Sequence, residues 1–197
     1  MIAGVAGSVV VGFATAGRAL VWSRRRIQAL ERALAMARDD ARRVSHDALV
    51  DEETGLLDGR YFRVALEQRV AAARRKLQPL AVMLVEIDNE HQSPLSFVEQ
   101  AEVVCETLRE ADTSCRIGAT RLGLILEETT EFGAVFAIER IRMAVNRAGG
   151  DEERLWAGVA GYPSHSLDST QLLERAELAL ERARDSGRGW VRVARSE

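Results

Sequence analysis

Two acidic side chains close a nearly unbroken apolar run. Glu86 and Asp88 stand at the end of Leu80–Ile87, whose sequence LAVMLVEI is typical of a central β-strand. Carboxylate oxygens are the hard ligands that hold divalent cations beside phosphate groups. The pair is therefore the first candidate for chemistry on a nucleotide, and the elements around it must position it.

A second acidic string reads Gly149-Gly150-Asp151-Glu152-Glu153. It follows the amphipathic helix predicted over Gly133–Arg147 and precedes one strand. Gly149 stands where the C-terminus of a helix takes a residue with positive φ, and the acids after it suit a solvated loop. A hairpin turn would need a strand on both sides. We therefore interpret this string as an ordinary loop.

Helix and strand patterns alternate from residue 51 onward, and two strands flanking Gly118-Ala119-Thr120-Arg121 predict a hairpin. Covering the apolar faces of these elements predicts an α/β fold, an α+β sandwich in which helices cover a mixed sheet. The predicted helices are Arg60–Leu77, Leu95–Glu110, Gly133–Arg147 and Thr170–Asp185, and the predicted strands are Leu80–Ile87, Ser114–Ile117, Leu122–Leu126, Leu155–Gly161 and Trp190–Val193.

Three motifs in this region, in the expected order, resemble those of GGDEF domains, the domains of bacterial diguanylate cyclases. They are Asp51-x-x-Thr54-Gly55-Leu56-x-Asp58-x-Arg60-x-Phe62, the strand end Glu86-Ile87-Asp88, and Leu172-Leu173-Glu174-Arg175-Ala176-Glu177 continued by Ala179-Leu180, Ala183-Arg184 and Gly187-Arg188. The resemblance implies a nucleotidyl-cyclase-like domain over residues 51–197.

Enzymes of this family join two GTP molecules into cyclic di-GMP, with divalent metals at the phosphates. The resemblance places the family's signature turn at Gly118, Ala119, Thr120, Arg121 and Leu122. The string Gly149–Glu153 resembles the signature in its letters and is called the look-alike string below. Arg121 then replaces an essential carboxylate. At a separation near 4 Å this swap turns an attraction for a metal of about 4 kcal/mol into a repulsion of that order.

Two further departures concern the ligand. Ala119 adds a Cβ where a glycine lets the backbone approach a phosphate, and only Asn89–Pro94 stands where the family's guanine-reading loop would be. We therefore expect a degenerate domain that is not an enzyme, with no catalytic residues, no cofactor and no metal. Glu86 and Asp88 are expected to be vestigial and to form ion pairs with Arg121.

A second hypothesis keeps the catalytic function. In this alternative the chain is a weak or divergent diguanylate cyclase, or another nucleotide-processing enzyme, that uses Glu86 and Asp88 with Mg²⁺.

Arg109-Glu110-Ala111-Asp112 ends five residues before the predicted hairpin turn, a spacing similar to that of the family's inhibitory R-x-x-D site. The resemblance implies that Arg109 stacks on and forks to cyclic di-GMP while Asp112 accepts from a guanine edge. The alternative is structural, because an arginine near a helix C-terminus is favoured by the dipole and aspartate is a common turn former.

The N-terminal segment Ile2–Trp22 contains one charge, Arg18, and is long enough to span a bilayer. Arg24-Arg25-Arg26 follows it, which places the C-terminal side in the cytoplasm. We therefore predict an anchor at residues 1–23 and a single-pass protein of the bacterial inner (cytoplasmic) membrane.

Residues 24–50 show a heptad pattern that predicts a coiled coil and a parallel homodimer. The seam residues are Ile27, Leu30, Leu34, Ala37, Ala41, Val44 and Ala48, and the small residues Gly4, Ser8, Gly12 and Ala16 form a ridge on the predicted membrane helix.

Charge narrows the list of partners. The first 50 residues carry eight arginines and four acids, hence +4, so the net charge of −3 leaves −7 for the remainder. This acidic part has no basic stripe that would bind nucleic acid. The expected partners are a second copy, cyclic di-GMP, the membrane, and a protein such as another GGDEF or EAL protein.

Overall fold

Helices and strands alternate along residues 49–88 and 94–195, which are the residues described by this computed structural model. The four helices and five strands predicted from residue 51 onward are all present. The helices are α1 (Gly59–Lys76), α2 (Phe97–Thr107), α3 (Glu131–Arg147) and α4 (Ser169–Asp185); the strands are β1 (Leu57–Asp58), β2 (Leu80–Ile87), β3 (Thr113–Gly118), β4 (Arg121–Glu127), β5 (Leu155–Tyr162) and β6 (Val191–Val193).

One mixed sheet has the strand order β1-β3-β4-β2-β5-β6. The central strand β2 pairs antiparallel with both β4 and β5, whereas β1 pairs parallel with β3 and β6 pairs parallel with β5. The predicted mixed α/β fold is therefore confirmed. The two-residue strand β1 was not predicted, because its residues read as part of a polar turn.

The apolar run of β2 is explained by cores on both faces of the sheet. Met83 and Val85 pack on the side of α2 and α3, whereas Val82 and Leu84 pack on the side of α1 and α4. Since successive strand residues point to opposite faces, a strand covered on both sides must be apolar throughout. Glu86 is the first residue at which this pattern breaks, so the polar end of β2 emerges at the edge of both cores.

Side-chain caps set the ends of the helices near the sheet edge. Ser96 and Glu99 form a reciprocal capping box that starts α2 two residues later than predicted. Asp58 accepts hydrogen bonds from the first amides of α1. Leu108 returns to an extended conformation, which ends α2 at Thr107 rather than at the predicted Glu110.

A close helix–strand contact fixes α4 on β5. At Gly158 an added Cβ would lie 2.3 Å from the backbone oxygen of Ala176 and 2.3 Å from the nitrogen of Leu180. Only glycine allows this approach, and the contact sets the position of the C-terminal turns of α4, which carry Arg184.

The predicted anchor (1–23) and all but the last residues of the predicted coiled coil (24–50) lie outside the described residues. Within the described ranges, the structure contains no helix that combines the length and the apolar character required to cross a membrane.

Candidate nucleotide site

A cavity of about 510 Å³ opens where β2 ends, beside the β3–β4 hairpin turn and the last turns of α4. This volume is typical of small-molecule sites. The side chains around it are mostly charged. The lining residues are Glu86, Ile87, Asp88, Thr120, Trp156, Glu181, Arg184 and Asp185.

Glu86 is held by two guanidinium groups. It is the cross-strand partner of Arg121, whose Nε and Nη2 donate to Oε2 at 3.0 and 2.5 Å. Arg184 Nη1 lies 3.3 Å from the other carboxylate oxygen, Oε1. The Glu86 side chain is only 13% exposed, while Arg121 and Arg184 are 37% and 54% exposed. The predicted ion pair between Glu86 and Arg121 is thus present, and Arg184 of α4 joins it.

Asp88 does not take part in that ion pair, contrary to the prediction. Its Oδ2 accepts from Nη1 of Arg154 at 3.0 Å, and the same guanidinium donates from Nε to Asp151 at 3.0 Å. The reason is local, because the amide of Asp88 bonds the carbonyl of Arg154 and brings the two side chains together. Arg154 lay in the loop with the look-alike string and was missed.

That loop is confirmed as a loop. Gly149 has φ of 94° after the end of α3. Asp151 then caps a short 3-10 helix over Glu152–Arg154 by accepting from the amide of Glu153. Asp151 therefore stabilises this local turn, and β5 begins directly after it at Leu155.

The residues around the cavity do not fit a divalent cation in this arrangement. Glu86 and Asp88, the two carboxylates at the end of β2, each lie within 3.0 Å of a guanidinium nitrogen, and these fixed positive charges repel a metal ion. Across residues 49–88 and 94–195, no group of three acidic, histidine or cysteine side chains is placed to hold a metal ion.

The hairpin turn is tighter than predicted, because β3 extends to Gly118 and β4 begins at Arg121. A register shift between Arg116 and Gly118 places a bulge just before the turn. The carbonyl of Thr120 accepts from the amide of Ile87 at 2.9 Å. This bond joins the turn to the end of β2, and Thr120 is the predicted signature residue that lines the cavity.

Arg116 was not identified from the sequence, yet it holds this turn in place. Its Nε and Nη2 donate to the carbonyls of Gly118 and Ala119 at 3.2 and 3.0 Å. Its Nη1 donates to Asp51 and Glu53 at 2.8 and 2.6 Å. One guanidinium therefore joins the hairpin turn to the loop that precedes β1.

Burial alone would raise the pKa of Asp51, but hydrogen bonds from Arg116 and Thr54 outweigh that effect and lower it below the usual value. The pKa of Arg116 is raised, chiefly by its hydrogen bond to Asp51. Both groups are therefore held in their charged forms.

Arg109 and Asp112 lie in one turn between α2 and β3 and are not among the residues that line the cavity. Asp112 Oδ2 accepts from the backbone amide of Arg109 at 3.0 Å, and the amide of Asp112 donates to the carbonyl of Arg109 at 3.0 Å. The Arg109 residue is exposed. Asp112 Oδ1 is buried without a hydrogen-bond partner in the described structure. Asp112 therefore forms the turn, as the structural alternative predicts.

Comparison with known proteins shows what this domain resembles. The family model described as "Diguanylate cyclase, GGDEF domain" matches residues 95–189. Diguanylate cyclase DgcS of Shewanella oneidensis is 24% identical over 165 residues, covering 77% of this chain and 54% of that protein. Diguanylate cyclase DosC of Escherichia coli is 27% identical over 166 residues, covering 75% of this chain and 35% of that protein. The chain thus matches about half and about a third of the lengths of these curated relatives.

A solved structure agrees in fold. The coiled coil and GGDEF domain of DgcB from Caulobacter crescentus, determined in complex with c-di-GMP, superposes with a TM-score of 0.67 at 20% identity. The superposition covers 87% of this chain and 98% of that one.

The expectation that the chain is not an enzyme is contradicted by these comparisons. The matching family model is that of a diguanylate cyclase domain, and the relatives are named diguanylate cyclases. The expectation weighed the charge reversal at Arg121 and the short loop after Asp88 above the resemblance of the whole domain. Residues 95–189 therefore match the GGDEF domain family, and diguanylate cyclases are among the homologues of this chain.

Proposed function

We propose that the domain acts in cyclic di-GMP signalling as a divergent diguanylate cyclase that binds GTP in the cavity beside Glu86. The observation that carries the proposal is the convergence of three elements on this cavity: Glu86 from β2, Thr120 from the hairpin turn and Arg184 from α4. The proposed reaction, the formation of cyclic di-GMP, is taken from the relatives, which are named diguanylate cyclases.

Arg121 and Arg184 are the proposed phosphate ligands. Both approach the single carboxylate of Glu86, so this group of three side chains carries one net positive charge. A phosphate matches the planar donor geometry of guanidinium groups as well as a carboxylate does. A bound triphosphate can therefore compete with Glu86 for the two partly exposed arginines.

In the proposed reaction the 3′-oxygen of one nucleotide bonds to the α-phosphorus of another, and the bond to pyrophosphate breaks. Two such steps close the ring of cyclic di-GMP. Glu86, released from one of its guanidinium partners by the incoming phosphates, accepts the proton of the attacking hydroxyl. The second nucleotide is presented by a second copy of the domain, in agreement with the predicted dimer.

The proposal is tested by incubating the 197-residue chain with GTP in magnesium-containing buffer and separating the products by chromatography. Cyclic di-GMP is expected, and Glu86→Gln should lower its rate of formation by roughly 100-fold or more, since general-base catalysis contributes that much. Arg184→Ala should raise the KM for GTP.

A matched control is Arg69→Ala, which removes an arginine paired with Glu127 at 2.6 Å on another part of the surface. It should leave the rate unchanged. Absence of product from the wild-type chain, or an unchanged rate in Glu86→Gln, would refute the proposed cyclase.

We further propose that Arg109 binds cyclic di-GMP as a receptor or product-inhibition site. The exposure of Arg109 on a turn next to β3 favours this role. Asp112 would have to exchange its bond to the Arg109 amide for a guanine edge. Calorimetry with cyclic di-GMP should show binding by the wild-type chain and none by Arg109→Ala. Equal heats from both proteins would leave the turn with a structural role only.

Anchoring in the inner membrane and parallel dimerisation are likewise proposals. The apolar segment Ile2–Trp22 and the heptad seam from Ile27 to Ala48 support them. Cysteine introduced at Leu34 should cross-link efficiently between two copies in membranes. A chain that stays monomeric under these conditions would contradict the proposed dimer.

A further inference from the structure

The outer face of helix α3 carries three large apolar side chains in contact with solvent. Phe132, Phe136 and Met143 are 71%, 77% and 56% exposed. Their spacing along a helix of 3.6 residues per turn places them on one face, which we call the α3 stripe. The opposite face of the helix, which includes Ile138 and Ile141, is buried against the sheet. The α3 stripe therefore points away from the core.

The sequence of the first half of α3 is unusual for a helix on the surface. Residues 132–138 read FGAVFAI and contain no polar side chain. A surface helix ordinarily carries polar residues on the face away from the core, and a helix that is apolar on all sides is ordinarily covered. A contiguous apolar patch of this kind marks an interaction site. The α3 stripe shares no residue with the lining of the cavity beside Glu86, so it is a separate surface.

The size of the α3 stripe fits the centre of a protein–protein interface. A fully buried aromatic side chain removes roughly 150–250 Å² from solvent, so three large side chains at these exposures offer about 300–500 Å². A stable interface buries about 800 Å² on each partner, with an apolar centre inside a polar rim. The stripe therefore supplies the apolar centre, and the charged residues around it would supply the rim.

The charges of α3 favour a second copy of the same helix as the partner. The first half, residues 131–138, carries one charge, Glu131. The second half carries three arginines and one acid, Glu139, hence a net charge of +2. Arg147 bends back toward the stripe, because its Nε donates to the carbonyl of Met143 at 3.2 Å.

An antiparallel pair of α3 helices is complementary to itself. It brings the acidic end of each helix beside the basic end of the other and opposes the two helix dipoles. A parallel pair would bring like charges together. The same patch on both copies meets itself in this way when a two-fold axis relates them.

We infer that the α3 stripe is a contact between two copies of this chain, whose α3 helices pair antiparallel about a two-fold axis at the middle of the stripe. Phe132 of one copy then faces Met143 of the other, because the two residues lie equally far from the midpoint. Sulfur–aromatic contacts of this kind are favourable. Phe136 lies beside the axis. This contact is separate from the proposed coiled coil and from the proposed cyclase reaction.

The experiment cross-links single cysteines in the purified 197-residue chain, in a Cys105→Ser background in which the fully buried Cys115 remains. Glu139→Cys places a thiol beside the stripe, close to the inferred axis. Packed helices lie about 8–10 Å apart, so a bifunctional maleimide of about 10 Å should join two copies efficiently.

Asn146→Cys tests the antiparallel direction. Asn146 is exposed and lies on the same side of the helix, about two turns after Glu139. In an antiparallel pair the two copies of this residue are separated by about 25 Å along the helix axis, so little cross-linking is expected. In a parallel pair both cysteines would cross-link equally well.

Phe136→Asp tests the apolar contact itself. Added to Glu139→Cys, it should lower the rate of cross-linking roughly tenfold or more, as the loss of a central interface side chain does. Val64→Asp is the matched control, because Val64 is also apolar and 54% exposed but lies on α1, on the other face of the sheet. It should leave the rate unchanged. Thermal unfolding of each variant reports whether the fold is intact.

Three results would overturn the inference. If Glu139→Cys does not cross-link, a second copy does not cover the stripe. If Asn146→Cys cross-links as well as Glu139→Cys, the helices do not pair antiparallel. If Phe136→Asp does not slow the reaction, the apolar stripe is not the contact. Cross-linking through a cysteine at Leu34 should be insensitive to Phe136→Asp, which separates this contact from the proposed coiled coil.

Discussion

Replacing Arg116 by alanine should destabilise the domain, because its guanidinium joins the loop before β1 to the β3–β4 hairpin turn. The side chain is 14% exposed. It donates to Asp51 and Glu53 on one side and to the carbonyls of Gly118 and Ala119 on the other. The Arg116 guanidinium also lies 4.8 Å from the centre of the Phe97 ring.

The expected loss in the free energy of unfolding is about 2–4 kcal/mol. A hydrogen bond to a charged group contributes about 1.5–3 kcal/mol net. The bond to Glu53, whose side chain is 63% exposed, adds little because solvent screens it. The bonds to Asp51 and to the two carbonyls supply most of the loss. In a domain of this size about 2–4 kcal/mol lowers the Tm by roughly 5–15 °C.

The pH dependence gives this prediction a second, independent test. The pKa of Asp51 is lowered in the folded domain, so its contribution to stability is fully present above the ordinary pKa of 3.8. That contribution disappears as the pH falls through the lowered folded value. The difference in stability between wild type and Arg116→Ala should therefore stay constant from about pH 5 to 8 and shrink below about pH 3.8.

The assay is thermal and urea-induced unfolding of the 197-residue chain, followed by circular dichroism. Arg69→Ala is the control, because its ion pair with Glu127 is 2.6 Å long but its side chain is 43% exposed; it should cost less than about 1 kcal/mol. The reasoning is refuted if Arg116→Ala costs no more than this control. A difference that persists at low pH would refute the role of Asp51.

Two other predictions concern the core. Gly158→Ala should lower the free energy of unfolding by about 3 kcal/mol or more, since its Cβ would meet the α4 backbone at 2.3 Å. The control is Gly59→Ala, whose nearest contact is 3.5 Å and whose stability should stay within about 1 kcal/mol of wild type. Similar urea midpoints for the two variants would contradict the packing argument. Burial is the main reason why the pKa of the fully buried Cys115 thiol is raised to about 12, and the nearby groups of Asp58 and Cys105 raise it further. In a Cys105→Ser background this thiol should react with a disulfide reagent at pH 8 roughly 1,000-fold more slowly than a free thiol; rapid reaction of the native protein would show that it is accessible.

Several features were predictable from sequence, because they depend on short-range patterns. The apolar run of β2 reflects burial on both faces, and a strand of that kind must lie inside a covered sheet. The hairpin was predicted from the two strands around residues 118–121, and the complementary charges of Glu86 and Arg121 predicted their ion pair. The motif resemblance from residue 51 onward anticipated the match of residues 95–189 to the GGDEF domain model. The three departures from the family's pattern were then given too much weight, which led to the wrong expectation that the chain is not an enzyme.

Other features were decided only by tertiary structure. The strand β1 is two residues long and exists because β3 pairs with it in parallel. A strand this short has no periodicity from which it could be predicted. Arg116 reaches residues 65 and 63 positions away, Asp51 and Glu53.

The partners of the cavity residues were also determined by strand register rather than by amino-acid type. Asp88 pairs with Arg154 instead of Arg121 because the pairing of β2 with β5 continues into that loop. The same register places Trp156 opposite Glu86. Amino-acid type and spacing determine which side chains are buried or exposed along one element. Which of them meet across the sheet depends on how the strands align, and that alignment is set by the packing of the whole domain.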